Sequence, residues 1–277
     1  MSKMKKVAIQ GIKGSYHDEA AHQLLGNNIE LLECLSFPDL AKAVVDEEVE
    51  VAVMAIENSI AGSILPNYNL MLNNDLHIVD ELYMPINHCF MIHKDAELEE
   101  ITEVHSHPMA LMQCEEYFEQ YAKIRLVEVA DTALAAQRIV EKDWMTVGAI
   151  APERSAQVYG LQIIDKGIQA VKNNYTRFFV LEKNPKPITD FNKVSIQFKV
   201  PHQSGSLARV LNQIAFRRIN MSKIQSVPII DEPMNYAFFA DLVLDDASEF
   251  QEFIHEVQPL VKDLKILGKY KNKSIVN

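Results

Sequence analysis

Apolar and polar residues alternate along the chain with two different periods, one typical of α-helices and one typical of β-strands. The positions at which the period changes predict where helices and strands begin and end. Over residues 5–56 the pattern predicts a strand, two helices and a second strand. These segments are KKVAIQG (5–11), DEAAHQLLG (18–26), FPDLAKAVVDEE (37–48) and VEVAVMAI (49–56). Strands that alternate with helices predict an open α/β sheet, and the ligands of such sheets bind at the carboxyl ends of the strands.

The middle of the chain has its own alternation of strands and helices. Residues 76–94 predict two strands, and residues 108–122 and 131–142 predict helices. The next segments predict a strand, a short helix and two strands: MTVGAIAP (145–152), ERSAQVYG (153–160), LQIIDKGI (161–168) and NNYTRFFVL (173–181). A chain that builds one lobe, leaves to build a second and then returns predicts two lobes with a ligand-binding cleft between them.

The last part of the chain predicts a separate unit. KVSIQFKV (193–200) alternates strictly between apolar and polar residues, which predicts a half-buried antiparallel strand. The segments after it predict a helix, two strands joined by the turn DEPMN (231–235), a second helix and a last strand. This βαββαβ order is ferredoxin-like, and its open edge or face favours pairing with a second copy. Residues 184–192 are polar and hold two prolines, which predicts a linker.

Composition and charge narrow the function. The chain has 277 residues, of which 48% are hydrophobic and 23% charged, so we expect an ordinary globular protein of two domains. A net charge of -11 argues against nucleic-acid binding but allows an anionic substrate, since the local field governs a pocket. We expect no membrane association, because no apolar run is long enough. Cys34, Cys89 and Cys114 lack CxxC spacing, which predicts reduced thiols in a cytoplasm.

Four short polar segments are candidates for chemistry: Glu57-Asn58-Ser59, Ser106-His107, Gln113 and Thr176-Arg177. Each also has a structural interpretation, for example Ser106 as a helix cap and Arg177 as a solvated turn residue. No cofactor is expected. Gly11-x-x-Gly14 is not a dinucleotide-binding fingerprint, and His105-x-His107 has no third metal ligand at a sensible spacing.

Taken together, these segments resemble one enzyme family. The matching segments are IENSIAGS (56–63), SHPMALMQC (106–114), AIAPERSAQVYGL (149–161) and NYTRFFVL (174–181), all of them before the βαββαβ unit. In this order, over about residues 5–270, they resemble the prephenate dehydratases that carry a C-terminal ACT regulatory domain. Two departures are mild: Ile56 stands where the family often has proline, and Gly14-Ser15-Tyr16-His17 stands where it often has Gly-Thr-Phe-Ser.

The resemblance implies a fold and a domain organisation. It implies a two-lobed α/β catalytic domain like the periplasmic binding proteins, over residues 1–183, with a first lobe of about 1–75 and 163–183 and a second of about 76–162. After the linker, it implies a ferredoxin-like ACT domain over residues 193–277.

The resemblance also implies the reaction, in which prephenate loses water and CO2 to give phenylpyruvate, on the way to L-phenylalanine. Aromatisation drives the reaction, so no metal or redox cofactor is needed. The implied catalytic residue is Thr176, hydrogen-bonded to the leaving hydroxyl, with Glu57 orienting Thr176 or the leaving group. Arg177 is expected to bind a carboxylate or to lock the lobes together. The other implied substrate-binding residues are Asn58, Ser59, Ser106 and Gln113.

Regulation is the part of the resemblance in which this sequence departs most. The family binds L-phenylalanine in the ACT domain, which here implies Ser204, Gly205, Ser206, Leu207, Gln225 and Ser226. The family's Glu-Ser-Arg-Pro motif is replaced by Gln225-Ser226-Val227-Pro228. We expect inhibition by L-phenylalanine, for which the changed motif could alter the affinity or the coupling, and a homodimer or homotetramer formed through the ACT domains.

Other functions stay open at this point. An arogenate dehydratase would share the fold, because its substrate differs only by an amino group in place of the keto oxygen. A non-catalytic protein that binds a small molecule would also have two lobes around a cleft, but this alternative leaves the βαββαβ unit unexplained. A regulator that senses an amino acid through the ACT-like unit would need a DNA-binding or other output module, and the acidic N-terminal part shows no basic patch for one.

Overall fold

The computed structural model describes residues 4–229 and 236–273, so the turn predicted at 231–235 lies outside the described residues. The chain forms two compact units. The first unit runs to Leu70 and resumes over Leu82–Phe178, and the second holds Met71–Glu81 and the residues from Phe179 on. The first unit itself consists of two lobes, each built on its own sheet.

The first lobe begins the chain. Its elements are β1 (Lys5–Gln10), α1 (Tyr16–Leu25), β2 (Ile29–Cys34), α2 (Phe37–Val45), β3 (Val51–Asn58), β4 (Gly62–Ser63) and α3 (Leu65–Asn73). Strand β1 is parallel to β2 on one side and to β3 on the other. The apolar run of β3 is buried from Val51 to Ile56, as expected for a central strand with helices on both faces.

The second lobe contains most of the middle of the chain. Its elements are β6 (Cys89–Ile92), β7 (Glu103–Ser106), α4 (Pro108–Phe118), β8 (Arg125–Glu128), α5 (Thr132–Glu141), β9 (Val147–Ala151), α6 (Glu153–Tyr159) and β10 (Gln162–Lys166). The strand order is β10-β6-β9-β7-β8. Helix α4 packs on one face of this sheet and α5 on the other, so β6 and β9 are buried on both faces.

Two strands connect the lobes of the first unit and continue into the second unit. They are β5 (His77–Pro85) and β11 (Tyr175–Glu182). Both lie in the sheet of the first lobe, in the order β5-β11-β3-β1-β2. The predicted lobe boundaries at residues 76 and 163 therefore assign two strands to the wrong lobe. β5 belongs to the first sheet, and β10 pairs antiparallel with β6 in the second sheet.

The C-terminal part of the second unit has the predicted βαββαβ order. Its elements are β12 (Lys193–Lys199), α7 (Ser206–Phe216), β13 (Asn220–Pro228), β14 (Tyr236–Val243), α8 (Phe250–Val257) and β15 (Lys262–Tyr270). The sheet order is β13-β14-β12-β15, and the apolar residues of β12 face both helices. Gly268 of β15 is paired with Ile78 of β5, where an added Cβ would lie 2.1 Å from the Ile78 carbonyl oxygen.

Strand β12 differs from its prediction. Residues 193–198 are buried on both faces, so the strand is not half-buried. Lys193 Nζ lies 2.9 Å from Glu81 Oε1, and both side chains are fully buried. Ser195 Oγ donates to Asp241 Oδ1 at 2.5 Å. Polar pairing of this kind lets charged and hydroxyl groups occupy a buried face that the alternation pattern assigns to solvent.

Candidate active site

A cavity of about 270 Å³ lies between the two lobes of the first unit. It follows the carboxyl ends of strands, as an open α/β sheet predicts: Gln10 ends β1, Asn58 ends β3 and His107 follows β7. Its polar lining residues are Gln10, Ser15, Tyr16, His17, Asn58, His88, His107, Gln113, Asp131, Thr132, Asn174 and Thr176. The apolar part of the wall includes Phe37, Ile64, Ile86, Met109 and Phe178.

Three helices begin at this cavity. Their N-cap residues are Ser15 for α1, His107 for α4 and Asp131 for α5, and all three line the wall. No lysine or arginine is among the described lining residues. The N-terminal end of a helix carries a partial positive charge and free N–H groups, and it stabilises an anion by about 0.3–1 kcal/mol or more. The cavity is therefore suited to an anionic ligand held mainly by neutral donors.

The orientation of Asn58 is fixed by the backbone of its own turn. Its Oδ1 accepts from the amides of Ile60 and Ala61, both at 2.9 Å. The Asn58 Nδ2 group therefore faces the other side, where it donates to Asn174 Oδ1 at 2.7 Å and to Thr176 Oγ1 at 3.0 Å. Because Thr176 accepts this hydrogen bond, its own hydroxyl proton is directed elsewhere. No acceptor for that proton is found in the described part of the chain.

The same logic orients Gln113. Asn174 accepts through Oδ1, so its Nδ2 donates to Gln113 Oε1 at 3.0 Å. The Gln113 oxygen also faces His88 Nε2 at 3.0 Å, which requires a proton on Nε2. The Gln113 amide nitrogen is then the atom of this side chain that can donate to a ligand in the cavity. Asn58, Asn174 and Gln113 form a continuous chain of hydrogen bonds that begins at a fixed backbone turn.

His88 and Tyr16 end this chain. Burial lowers the pKa of His88 to about 4, so the ring is neutral and carries only the Nε2 proton. Its Nδ1 is therefore an acceptor, and the Tyr16 hydroxyl lies 2.8 Å from Nδ1 and 3.0 Å from the Asn87 carbonyl oxygen, so its proton is shared between these two acceptors. Burial also raises the pKa of Tyr16, which keeps the phenol protonated as this donor. The protons of Tyr16 and His88 are thus set without titration of either group near neutral pH.

Residues 11–15 form a loop that carries Ser15, Tyr16 and His17 into the cavity, and helix α6 of the other lobe holds this loop. Ser155 Oγ donates to the Gly14 carbonyl at 2.8 Å, and Tyr159 OH donates to the Lys13 carbonyl at 2.7 Å. Gly14 has a φ of +86°, and a Cβ added there would lie 3.1 Å from Ser155 Cα. The glycine is therefore required both by its backbone conformation and by the approach of α6.

Three of the predicted site residues meet at the cavity: Asn58, Gln113 and Thr176. Ser59 does not line it, but exchanges hydrogen bonds with the Tyr175 backbone and so fixes the start of β11. Glu57 is also outside the lining, in the β3–β4 pair opposite Ser63. The predicted substrate contact of Ser59 has no counterpart among the lining residues, and the predicted role of Glu57 in orienting Thr176 or the leaving group stays a prediction.

Two further predicted residues lie in the core of the first unit. Ser106 is fully buried, and its hydroxyl donates to the Ile150 carbonyl at 2.6 Å, so it is neither a helix cap nor a lining residue. Arg177 follows Thr176 in β11 and points to the opposite face, where it is 1% exposed and stacks over Tyr83 at 5.2 Å. Successive strand residues face opposite sides, which is why only Thr176 of this pair reaches the cavity.

The sequence interpretation missed several wall residues. Ser15, Tyr16 and His17 stand in the segment after the first predicted strand, but none of them was named as a site residue. His88 and Asn174 were inside segments assigned as strand or turn. Asp131 is the first residue of the helix predicted over 131–142, and in the structure its Oδ1 caps α5 by accepting from the Leu134 amide at 3.0 Å. The cap position was the available signal, because an N-cap marks where a helix can face a ligand.

The fold and the cavity together define a two-lobed α/β protein with a ligand-sized cavity between its lobes. Residues 7–186 match the family described as prephenate dehydratase. The arogenate dehydratase/prephenate dehydratase 2 of Arabidopsis thaliana is 35% identical, over 96% of this chain and 72% of its own length. The bifunctional chorismate mutase/prephenate dehydratase of Enterobacter agglomerans is 30% identical, over 98% of this chain and 72% of its own. The chain belongs to the prephenate dehydratase family.

Solved structures agree on the fold. The prephenate dehydratase of Staphylococcus aureus is 25% identical and covers 96% of this chain and 99% of its own, with a TM-score of 0.83. GqqA, a quorum-quenching acylase, is 26% identical with a TM-score of 0.87, over 96% of this chain and 97% of its own. The Arthrobacter aurescens prephenate dehydratase in complex with L-Phe is 22% identical, with a TM-score of 0.85, over 98% of this chain and 93% of its own.

Proposed function

We propose that this protein converts prephenate to phenylpyruvate, water and CO2, with Thr176 as the hydrogen-bond donor to the leaving hydroxyl. The observation that carries the proposal is the fixed hydrogen bond from Asn58 Nδ2 to Thr176 Oγ1 at 3.0 Å. It makes Thr176 an acceptor from the protein and leaves its proton for a group in the cavity.

The substrate fits the electrostatics of the cavity. Prephenate carries a ring carboxylate and a pyruvyl carboxylate, and three helix N-termini surround the cavity. Helix partial charges and neutral donors can hold the carboxylates of the substrate without an ion pair. An ion pair to the ring carboxylate would stabilise the bound substrate more than the transition state, because this carboxylate leaves as neutral CO2. The Gln113 amide nitrogen is a further donor for a carboxylate or hydroxyl oxygen.

The chemical step is an elimination. The C–C bond to the ring carboxylate breaks, its electron pair forms the last double bond of the aromatic ring, and CO2 leaves. The C–O bond at the opposite ring carbon breaks at the same time, and the oxygen takes the proton of Thr176 as it leaves as water. Solvent then returns a proton to Thr176. Help of this kind typically contributes about 10²–10⁴ in rate.

Four predicted residues change role in this proposal. Arg177 is proposed to be a structural residue of the core face of β11 that does not bind a substrate carboxylate. Glu57, Ser59 and Ser106 are proposed to support the strand ends that carry Asn58 and Thr176 and the helix that carries Gln113. The lining residues and the hydrogen bonds described above support this division.

The C-terminal βαββαβ unit is proposed to be an ACT domain that binds L-phenylalanine and joins the chains into a homodimer or homotetramer. The implied ligand residues are Ser204, Gly205, Ser206, Leu207, Gln225 and Ser226. Support comes from the order and sheet topology of the unit and from the L-Phe complex of the Arthrobacter aurescens protein. Gly205 is the N-cap of α7 with a φ of +78°, so the implied ligand residues from Ser204 to Leu207 lie at the N-terminal end of a helix.

The domain assignment and the compartment are also proposals. Residues 1–183 form the catalytic domain, 184–192 the linker and 193–277 the regulatory domain; residues 183–192 lie in neither helix nor strand. A cytoplasmic location is supported by three cysteines that are all unpaired and buried. Among the described residues, no helix combines the length and the apolar character that crossing a bilayer requires.

The function is tested by measuring phenylpyruvate formed by the purified protein from prephenate, with and without L-phenylalanine. We expect turnover of prephenate that falls as L-phenylalanine is added. A turnover rate that does not change when L-phenylalanine is added would refute the regulatory proposal but not the proposed enzyme activity. The same assay with arogenate, followed as phenylalanine production, tests the related activity. Activity on arogenate alone would contradict the proposed substrate.

A further inference from the structure

His17 occupies an unusual position on the cavity wall. It is the second residue of α1, directly after Tyr16, and its side chain is 9% exposed. The ring lies edge-on to Phe178, with centroids 5.1 Å apart, and is tilted against Phe37 at 5.6 Å. A polar ring is therefore held between two aromatic rings in a part of the wall that is otherwise apolar.

The tautomer of His17 is fixed by a backbone group. The amide of Ala55 donates to His17 Nε2 at 3.3 Å, and a backbone N–H can only donate, so Nε2 carries no proton. Burial lowers the pKa of His17 to about 4, which keeps the ring neutral at physiological pH. The single proton of the neutral ring is therefore on Nδ1.

This Nδ1–H group has no acceptor within residues 4–229 and 236–273. His17 lines the cavity, so the cavity is the space in which a ligand can offer an acceptor to Nδ1. A buried donor without a partner is unfavourable, so a ligand that supplies an acceptor there gains affinity.

The position along β11 indicates which end of the substrate His17 meets. Phe178, against which the ring packs, is two residues after Thr176, which places it about 7 Å along the strand. Thr176 is proposed to contact the leaving hydroxyl. His17 packs against Phe178 and is therefore offset along β11 from Thr176, which favours contact with the end of the substrate away from the leaving hydroxyl, where the ring carboxylate and the pyruvyl chain lie.

We propose that His17 is a substrate-binding residue that donates its Nδ1 proton to an oxygen at the carboxylate-bearing end of the substrate. The proposal rests on the proposed function. A carboxylate oxygen and the keto oxygen are both acceptors, whereas the ammonium group of arogenate can only donate. The residue is therefore placed either to hold a carboxylate or to select the keto acid.

Three variants separate this role from a structural one. His17→Leu removes both nitrogen functions. His17→Asn keeps a donor near the position of Nδ1 but loses the acceptor of the Ala55 amide, and His17→Gln keeps that acceptor near the position of Nε2. kcat/KM for prephenate and for arogenate is measured for each variant, together with Tm. The leucine and asparagine variants share the loss of the acceptor, so their difference in kcat/KM reports the donor.

We expect His17→Leu to lower kcat/KM by about 10- to 100-fold, the usual effect of losing a hydrogen bond to a charged acceptor. His17→Asn is expected to recover most of this loss even though its Tm stays low. A loss confined to prephenate assigns the acceptor to the keto oxygen, and an equal loss on both substrates assigns it to a carboxylate; either supports the donor.

Other results would overturn the inference. Wild-type kcat/KM in His17→Leu would show that the donor is unused. Recovery in His17→Gln but not in His17→Asn would show that His17 acts only through the Ala55 amide. No turnover of either substrate by the wild type would overturn the proposed function and this inference together.

Discussion

At the scale of single residues, the site depends on side chains whose protons are fixed by their surroundings. A backbone turn orients Asn58, and this orientation propagates through Asn174 and Gln113 to His88. The orientation of each side chain in this series is determined by its neighbour, because the neighbouring atom can only donate or can only accept a hydrogen bond. The result is a chain of neutral side chains on the wall whose donors are defined before the substrate binds, and fixed donors of this kind stabilise an anion without reorganising.

Burial of His88 predicts acid destabilisation. Its pKa is lowered to about 4 in the folded protein, against 6.5 for an ordinary histidine, so the unfolded chain binds the proton more readily. The contribution of this residue is complete above pH 6.5 and is lost as the pH falls from 6.5 towards 4. Between pH 7 and pH 5 the loss is about 2 kcal/mol.

The check is the free energy of unfolding in urea at pH 7 and pH 5, for the wild type and for His88→Gln. We expect the pH-dependent loss to be about 2 kcal/mol smaller in the variant, whatever its stability at pH 7. All other titrating groups are common to both proteins. An equal loss in both would show that His88 is protonated in the folded state.

The sequence could predict part of this residue-scale picture. Asn58, Gln113 and Thr176 were identified from the segments that carry them. Ser106 and Arg177 were assigned to the substrate because the sequence does not show which way a side chain points at the end of a strand. His17 and His88 gave no pattern at all, since a histidine acquires its role here from burial and from a neighbour distant in the chain.

At the scale of elements, the contact between the loop of residues 11–15 and helix α6 fixes one wall of the cavity. Gly14→Ala is expected to destabilise the protein, because alanine is strained at a φ of +86° and its Cβ would lie 3.1 Å from Ser155 Cα. Gly160→Ala is the matched control, since Gly160 has a φ of +70° and open space around it.

Strain alone is expected to cost about 1–2 kcal/mol in the control, and Gly14→Ala is expected to cost about 1 kcal/mol more. Urea denaturation measures both costs. The loop carries Ser15 and Tyr16, so KM for prephenate is also expected to rise in Gly14→Ala only. Equal stability and equal KM in the two variants would show that the approach of α6 is unimportant.

A second element-scale contact joins β5 to β12 inside the second unit. Lys193 and Glu81 are both fully buried, and Glu81 also accepts from the Lys273 amide at 3.0 Å. Removing one partner leaves a buried charge, so Lys193→Met is expected to cost about 3–5 kcal/mol of unfolding free energy. Adding Glu81→Gln is expected to restore much of this loss.

The control for this pair is Lys271→Met, since Lys271 pairs with Asp190 at an exposed site of the same unit. An exposed pair contributes about 0–1 kcal/mol, so a small change is expected. Denaturant unfolding followed by circular dichroism measures all three variants. A cost for Lys193→Met no larger than for Lys271→Met would mean that the buried pair does not stabilise the unit.

Element existence was more predictable than element placement. The periods of the apolar residues identified β3, α4, α5 and the whole βαββαβ order correctly. They did not assign β5 and β10 to their sheets, because strand periodicity carries no information on the partner strand. They also did not predict the buried polar face of β12, whose cause is the pairing of Lys193 with Glu81.

At the scale of the whole molecule, one chain combines a two-lobed unit that holds the cavity with a βαββαβ unit of separate topology. The alternation of strands and helices predicted both parts, and the family match over residues 7–186 covers the first. The catalytic proposal depends only on the first unit. The regulatory proposal depends on the second, and it can fail without affecting the chemistry.

The most direct test of the account is kcat for prephenate in Thr176→Val and Thr176→Ser, compared with the wild type at equal folded content by circular dichroism. Valine keeps the shape of threonine without the hydroxyl, and serine keeps the hydroxyl. We expect kcat to fall by about 10²–10⁴-fold in Thr176→Val, with a much smaller change in Thr176→Ser. A kcat for Thr176→Val within a few-fold of the wild type would contradict the proposed mechanism.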